Sequence, residues 1–216
     1  MKKIAWMALG SIGILILVSS LTSFEIQQVF KHKSQTIDLK SGDIIFQSSS
    51  TGQSLAVQLA THSKYSHCGV VFQEGSKWFV YEAVQPVRKT LFSDWIQQGD
   101  DEHFVTRRLK EESILTKENL AKMKAVYTNF AGRDYDIYFA WTDDELYCSE
   151  LVWKMYQIGT GLKVGELKKF KSFDLTSSEV KAIMKQRYGS NLPLEETVIS
   201  PESIFDSPLL ETILTK

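Results

Sequence analysis

Leu146-Tyr147-Cys148-Ser149-Glu150-Leu151-Val152-Trp153-Lys154-Met155-Tyr156 is the stretch from which the rest of the chain can be read. Leu151, Val152, Met155 and Ile158 recur at the three-and-four spacing of one helix face, and Gly159 with Gly161 supplies a stop signal. Such a helix puts Cys148 in or near its first turn. There the unpaired backbone N–H groups and the positive end of the helix dipole favour a thiolate over a thiol. The acidic run Thr142-Asp143-Asp144-Glu145 just before it would raise the thiol pKa if those carboxylates came close. A cationic partner, most naturally a histidine, is then needed to offset them.

The second informative stretch is Thr61-His62-Ser63-Lys64-Tyr65-Ser66-His67-Cys68-Gly69-Val70-Val71-Phe72, followed by Gln73-Glu74-Gly75-Ser76 and Lys77-Trp78-Phe79-Val80-Tyr81-Glu82-Ala83. Two β-rich runs around a glycine-containing loop read as a hairpin. With Glu74-Gly75 as the loop, Gln73 pairs with Ser76 and His67 lies opposite Glu82. The two side chains then share a face, with roughly 5 Å between their Cβ atoms, and a one-residue slip would separate them. In that register Cys68 points to the opposite face. A carboxylate beside His67 holds the imidazole and favours its protonated form. Cys148, His67 and Glu82 thus make a nucleophile, base and orienter set. The backbone N–H of Cys148 is a natural oxyanion donor, Gln47 is a weaker candidate for a second, and Tyr147 either packs or shapes the substrate pocket.

Other readings of the same residues stay open. One is a Cys68–Cys148 disulfide in an exported protein, and another takes Cys68 as a small core hydrophobe. His67 also fits a satisfied core histidine, His32 a solvated tether residue, and His62 and His103 surface or capping residues. A zinc site from His62, His67, Glu82, Cys148 and Glu150 lacks a recognised ligand spacing, so no metal and no cofactor are expected.

Length and composition bound the rest. The 216 residues, 43% hydrophobic and 24% charged, suit one domain with a short appendage, and a net charge of −1 gives no pull toward nucleic acid. Lys2 and Lys3 precede an apolar run from Ile4 to Val18, then Ser19, Ser20, Thr22 and Ser23, the order of a secretory signal. Trp6, Leu21 and Phe24 leave an uncleaved membrane anchor open. Residues 1–23 are therefore expected to be a signal peptide or N-terminal anchor, 24–38 a tether, and 39–216 the domain. The expected location is outside the cytoplasmic membrane, in the periplasm or cell envelope or anchored facing outward.

Along the domain, Gly42-Asp43-Ile44-Ile45-Phe46-Gln47 reads as a turn and buried strand, and Ser54 to Thr61 as a short helix. Phe92 to Gln98 reads as a short helix, Phe104 to Leu109 as a strand, and Thr116 to Phe130 as a long amphipathic helix. Ile137 to Trp141 reads as a strand-like aromatic run and Glu166 to Arg187 as helical. The segment from Leu192 to Pro208, with three of the four prolines, is expected to wrap the surface.

Five blocks carry a family resemblance. Gly42 to Gln47, Gln58 to Gly69, Tyr81-Glu82-Ala83-Val84, Tyr147 to Lys154 and Pro193 to Val198 closely resemble the YiiX/YaeF-like group of permuted papain-like amidases, within the NlpC-type cysteine hydrolase superfamily. The resemblance runs from about Leu39 to about Pro208. It implies an α+β, circularly permuted papain-like fold, an antiparallel sheet packed with helices, with the histidine preceding the cysteine. The family's histidine falls on His67, its third polar residue on Glu82 and its nucleophile on Cys148. The expected activity is that of a cysteine hydrolase acting through a thiol acyl-enzyme on amide or ester bonds of a small peptide, amide or acyl substrate, with cell-wall peptides among the candidates. The alternatives are a lipid acyl hydrolase or acyltransferase, or a non-catalytic envelope binding module. Membrane association through the N-terminal segment is also left open.

Overall fold

Alternating apolar runs build a six-stranded sheet in the order β4-β3-β2-β1-β5-β8, with every neighbouring pair antiparallel. The strands are β1 (Ile44–Gln47), β2 (His67–Glu74), β3 (Lys77–Glu82), β4 (Arg88–Leu91), β5 (Val105–Leu109) and β8 (Leu210–Thr215). A two-stranded ribbon pairs β6 (Lys168–Lys169) with β7 (Thr197–Val198). The helices are α1 (Gly52–Thr61), α2 (Phe92–Ile96), α3 (Lys117–Phe130), α4 (Cys148–Thr160), α5 (Ser178–Tyr188) and α6 (Pro201–Phe205). The computed structural model describes residues 38–216, and Leu39–Lys216 form one compact unit. The expected signal or anchor, 1–23, and the tether up to residue 37 lie outside the described residues.

Side-chain alternation sorts the sheet into two faces. Ile44, Phe46, Cys68, Val70, Phe72 and Tyr81 join one core with the buried faces of α3 and α4. On the other side α2 packs on β3 and β4. Helix α4 supplies Leu151, Val152, Met155 and Tyr156 to the core, whereas Ile158, expected on the same face, is 56% exposed. A Cβ at Gly159 would lie 2.3 Å from Met123 Cγ, so the absence of a side chain there lets α3 and α4 approach. Gly161, at φ +81°, ends the helix. Thr116 and Ser177 cap α3 and α5 by accepting from the N–H groups of Asn119 and Val180. At the far end of the sheet Arg108 makes two hydrogen bonds to the buried Asp43 carboxylate, at 2.8 and 2.9 Å.

Several expectations are corrected. The β2–β3 register pairs Glu74 with Lys77 and Val70 with Tyr81, not Gln73 with Ser76. Gly75, at φ +60°, takes the first loop position, so the expected partners are displaced by two residues. Two is the period of a strand, so His67 and Glu82 keep a common face but meet on a diagonal. Residues 137–141 form an irregular loop instead of a strand. Asp136 accepts the N–H groups of Tyr138 and Ala140 at 2.7 and 2.6 Å, and Phe139 has φ +52°; this local turn takes the donors a ladder would need. The helix expected from Glu166 begins only at Ser178, because Asp174 and Ser177 hold the preceding chain in capping turns. The proline-rich end does more than wrap the surface. Ile199 and Ile204 are buried, α6 packs on α4, and β8 adds a strand beside β5.

Candidate active site

The polypeptide delivers Cys148 and His67 to one end of the sheet from different elements. Tyr147 stays extended, at φ −104° and ψ 165°, and provides no side-chain cap, so α4 begins at Cys148 with its first N–H groups unclaimed by a cap. His67 opens β2 opposite Gln47 of β1. Its ring stacks on Trp95 with centroids 5.9 Å apart and a 29° interplanar angle. Nε2 of His67 lies 2.6 Å from Glu82 Oε2, and the Cys148 sulfur, 4.0 Å from the Ser66 carbonyl oxygen, acts on the imidazole from the thiol side.

Glu82 is buried and fully engaged. Its Oε2 also accepts the indole N–H of Trp95 at 2.7 Å, and its Oε1 accepts the Thr90 hydroxyl. Burial alone would push this carboxyl up, but contact with His67 and the donors from Thr90 and Trp95 hold it below the usual range. Burial would likewise lower the His67 pKa; hydrogen bonds and charge from Cys148 and Glu82 outweigh it and carry the imidazole to about 10. A Cβ at Gly69 would sit 2.4 Å from Val80 Cγ1 and 2.9 Å from the Tyr81 carbonyl, so a bare backbone is needed where β2 passes β3.

Cys148 is held well below an ordinary thiol pKa. The largest cause is a hydrogen bond from Cys68; burial opposes it, and the hydrogen bond and charge of His67 add to it. Both cysteines are free. Cys68 faces the α3–α4 core, and that is the face α4 covers, so it reaches the Cys148 sulfur. Cys68 itself is pushed up by burial, which keeps it a donor. In the sequence only the disulfide alternative brought these two cysteines together; the free thiols rule out the bond, and strand parity alone says nothing of which face the helix covers. Trp95 and Thr90 were missed in the sequence, since only the return of β4 and α2 brings them over Glu82.

The other expected positions divide. Tyr147 accepts the N–H of Ile199 at 3.2 Å and meets Phe139 edge-to-face; it packs and lines the pocket at once. Gln47 is 3% exposed with Oε1 unpartnered, and Gly99 lies against that oxygen. His62 pairs with Asp174 at 3.2 Å, and His103 stacks on Tyr65, both apart from this site. In the acidic run, Asp143 is paired with Lys154 at 2.6 Å. Glu150 is buried and pushed up to about 8 by burial, against the lowering effect of Lys154 at 2.7 Å.

Two concavities meet at this site. An open pocket reaches Cys148 between α1 and α5, with Ala56, Ala60, Phe139, Val180 and Ile183 in its walls and, among the described residues, Arg187 as its one cation. A wider groove reaches His67 instead. Gln53, Ser66 and Tyr135 border both.

The chain is similar in sequence and in structure to known proteins. A family model described as permuted papain-like amidase enzyme, YaeF/YiiX, C92 family, matches residues 38–214. The protein named "Uncharacterized protein YiiX" of Escherichia coli (strain K12) is 48% identical over 174 residues, covering 81% of this chain and 85% of that protein. The crystal structure of yiiX from Escherichia coli O157:H7, whose title calls it a metalloprotein, superposes with a TM-score of 0.78 at 46% identity, over 82% of this chain and 97% of that one. The chain belongs to the permuted papain-like amidases of the YaeF/YiiX, C92 family.

Proposed function

We propose that this protein is a thiol hydrolase in which Cys148 attacks a carbonyl carbon, His67 moves the proton and Glu82 orients His67. The observation that carries the reading is the buried chain of contacts from Glu82 through His67 to a depressed Cys148 thiol. Attack by the thiolate forms the S–C bond. The N–H of Cys148 at the start of α4 is in place to meet the developing oxyanion. The His67 imidazolium then gives its proton to the leaving nitrogen or oxygen as that bond to the acyl carbon breaks. A water molecule, deprotonated by His67, cleaves the thioester and frees the acid.

The walls of the Cys148 pocket favour an apolar acyl group over a charged cell-wall peptide. Ala56, Ala60, Phe139, Val180 and Ile183 offer a peptide no hydrogen bonds, while an aliphatic chain gains about 0.8 kcal/mol per buried methylene. The acyl-hydrolase reading therefore leads, and the peptidase reading follows. The test is acylation by p-nitrophenyl dodecanoate, followed by mass spectrometry and compared with turnover of soluble peptidoglycan fragments. The expected result is a dodecanoyl adduct on Cys148 that is absent from Cys148→Ala. Equal labelling of that variant would refute the mechanism. Faster turnover of the fragments would restore the peptidase reading.

The yiiX title calls that protein a metalloprotein and names no metal. Among the described residues no group of three or more His, Cys, Asp or Glu side chains is placed to hold a metal ion, and both Glu82 oxygens are occupied by protein donors. No step is routed through one. Export rests on the sequence of residues 1–23, and detection of the mature N-terminus in an envelope fraction would test it. No helix among the described residues is long and apolar enough to cross a membrane.

A further inference from the structure

We infer that the groove beside His67 is the leaving-group subsite and that it takes an uncharged headgroup rich in hydroxyl or amide groups. This rests on the thiol-hydrolase reading and names the half of the substrate that reading leaves open.

The direction follows from the chemistry. In acyl transfer the acyl carbon becomes bonded to sulfur, while the departing heteroatom takes its proton from the histidine. Cys148 lines the apolar pocket and His67 the groove, and the two concavities share Ser66, Gln53 and Tyr135 as a border. A substrate spanning that border puts its acyl chain on the Cys148 side and its headgroup on the His67 side. The reverse placement would bury a polar headgroup among Val180, Ile183 and Phe139, where it finds few partners.

The character of the headgroup follows from the walls. The polar part of the groove's lining is glutamine, serine and threonine, among them Ser49, Thr51 and Gln98, set beside the apolar Ala83, Val84 and Ile137, and among the described residues no Lys, Arg, Asp or Glu lines it. The His67 imidazolium at the edge of the groove is already met by Glu82 and the Cys148 sulfur, so a phosphate there finds no unpaired cation, and an ammonium finds no carboxylate. Hydrogen-bonding capacity is nevertheless present. The Gln53 amide is taken up by Tyr135 and Arg187, and the Gln85 amide by Asp134 and Tyr135. Gln98 keeps its carbonyl oxygen. Gln47, directly across the ladder from His67, is buried with its Oε1 closed off by Gly99 and does not offer that atom to the groove. Gln98 commits only its Nε2, to the Asp94 carbonyl at 3.3 Å. Neutral amides of this kind pair with hydroxyl and amide groups without requiring a charge to be desolvated.

The experiment holds the acyl chain at dodecanoyl and varies the amine: N-methylglucamine as the neutral polyol, ethylenediamine as the cation, taurine as the anion. Acylation of Cys148 by p-nitrophenyl dodecanoate is measured first and tests the hydrolase reading by itself. In the wild type kcat/KM for the polyol amide is expected to exceed both charged amides by about tenfold or more. Gln98→Glu is expected to raise the cationic amide against the polyol by several-fold. The same three amides are titrated calorimetrically against Cys148→Ala, so the headgroup preference is read from binding even if turnover is absent. Charged amides used or bound as well as the polyol, or a ratio unmoved by Gln98→Glu, would overturn the inference. Failed acylation with the binding preference intact would overturn only the hydrolase reading.

Discussion

Replacing Glu82 with glutamine isolates the charge that holds His67 protonated. The substitution is nearly isosteric and its hydrogen bonds can be kept. The amide oxygen takes the place of Oε2, accepting from His67 Nε2 and Trp95 Nε1, and the amide nitrogen faces the Thr90 hydroxyl, which can turn to accept. What is lost is the negative charge. His67 stands at about 10 against an ordinary 6.5, which at 1.36 kcal/mol per pH unit is about 5 kcal/mol of preference for the imidazolium. Cys148 and Glu82 share it, so removing the Glu82 charge is expected to withdraw about 2 kcal/mol. The weaker imidazolium then stabilises the thiolate less, and the apparent pKa of Cys148 rises by about 1 to 2. The assay is the pH dependence of iodoacetamide alkylation at Cys148, followed by peptide mass spectrometry, in wild type, Glu82→Gln and His67→Ala. The wild-type midpoint is expected well below the roughly 8.5 of a free thiol, with Glu82→Gln shifted upward and His67→Ala shifted further. A Glu82→Gln profile that overlays the wild type would refute the coupling argued here.

Three further outcomes are expected. The pH profile of kcat/KM, which reports acylation, has its acid limb well below the free-thiol range and its alkaline limb near 10, where the imidazolium is lost; steady-state kinetics from pH 5 to 11 checks it, and an alkaline limb near 7 would contradict the ion pair. Gly69→Ala forces a methyl to within 2.4 Å of Val80 Cγ1 and 2.9 Å of the Tyr81 carbonyl, so denaturant unfolding should show a loss of about 1–3 kcal/mol, and a neutral result would refute the close β2–β3 approach. Glu150, raised to about 8 by burial despite Lys154, binds its proton more tightly folded than unfolded; its contribution is most favourable at low pH and declines as pH rises from about 4.5 through about 8. Glu150→Gln should therefore gain stability relative to wild type at pH 9 compared with pH 5, by about 1 kcal/mol or more, and urea midpoints at the two pH values decide it.

Much of the site was legible because its parts obey local rules. Cys148 at a helix start follows from the three-and-four spacing of Leu151, Val152 and Met155 alone. His67 and Glu82 were put on one face of a hairpin, and that survived a register error because the displacement was two residues, the period of the strand. The strand-like reading of Ile137 to Trp141 failed because Asp136 turns its carboxylate back onto the Tyr138 and Ala140 N–H groups, a local contact that competes with strand pairing. The helix expected from Glu166 failed for a similar reason at Asp174 and Ser177.

By itself the sequence determined the family and the order of the main elements, and it singled out the three residues proposed for the thiol chemistry, all from near-neighbour spacing and contiguous motifs. Only the tertiary structure decided what surrounds them. Trp95 and Thr90 reach Glu82 because α2 and β4 fold back over the sheet, Cys68 reaches Cys148 because α4 covers its face, and α1 closes with α5 around an apolar pocket. These contacts join residues far apart in the chain, and no local periodicity encodes which surfaces will be brought together when the two faces of the sheet are covered.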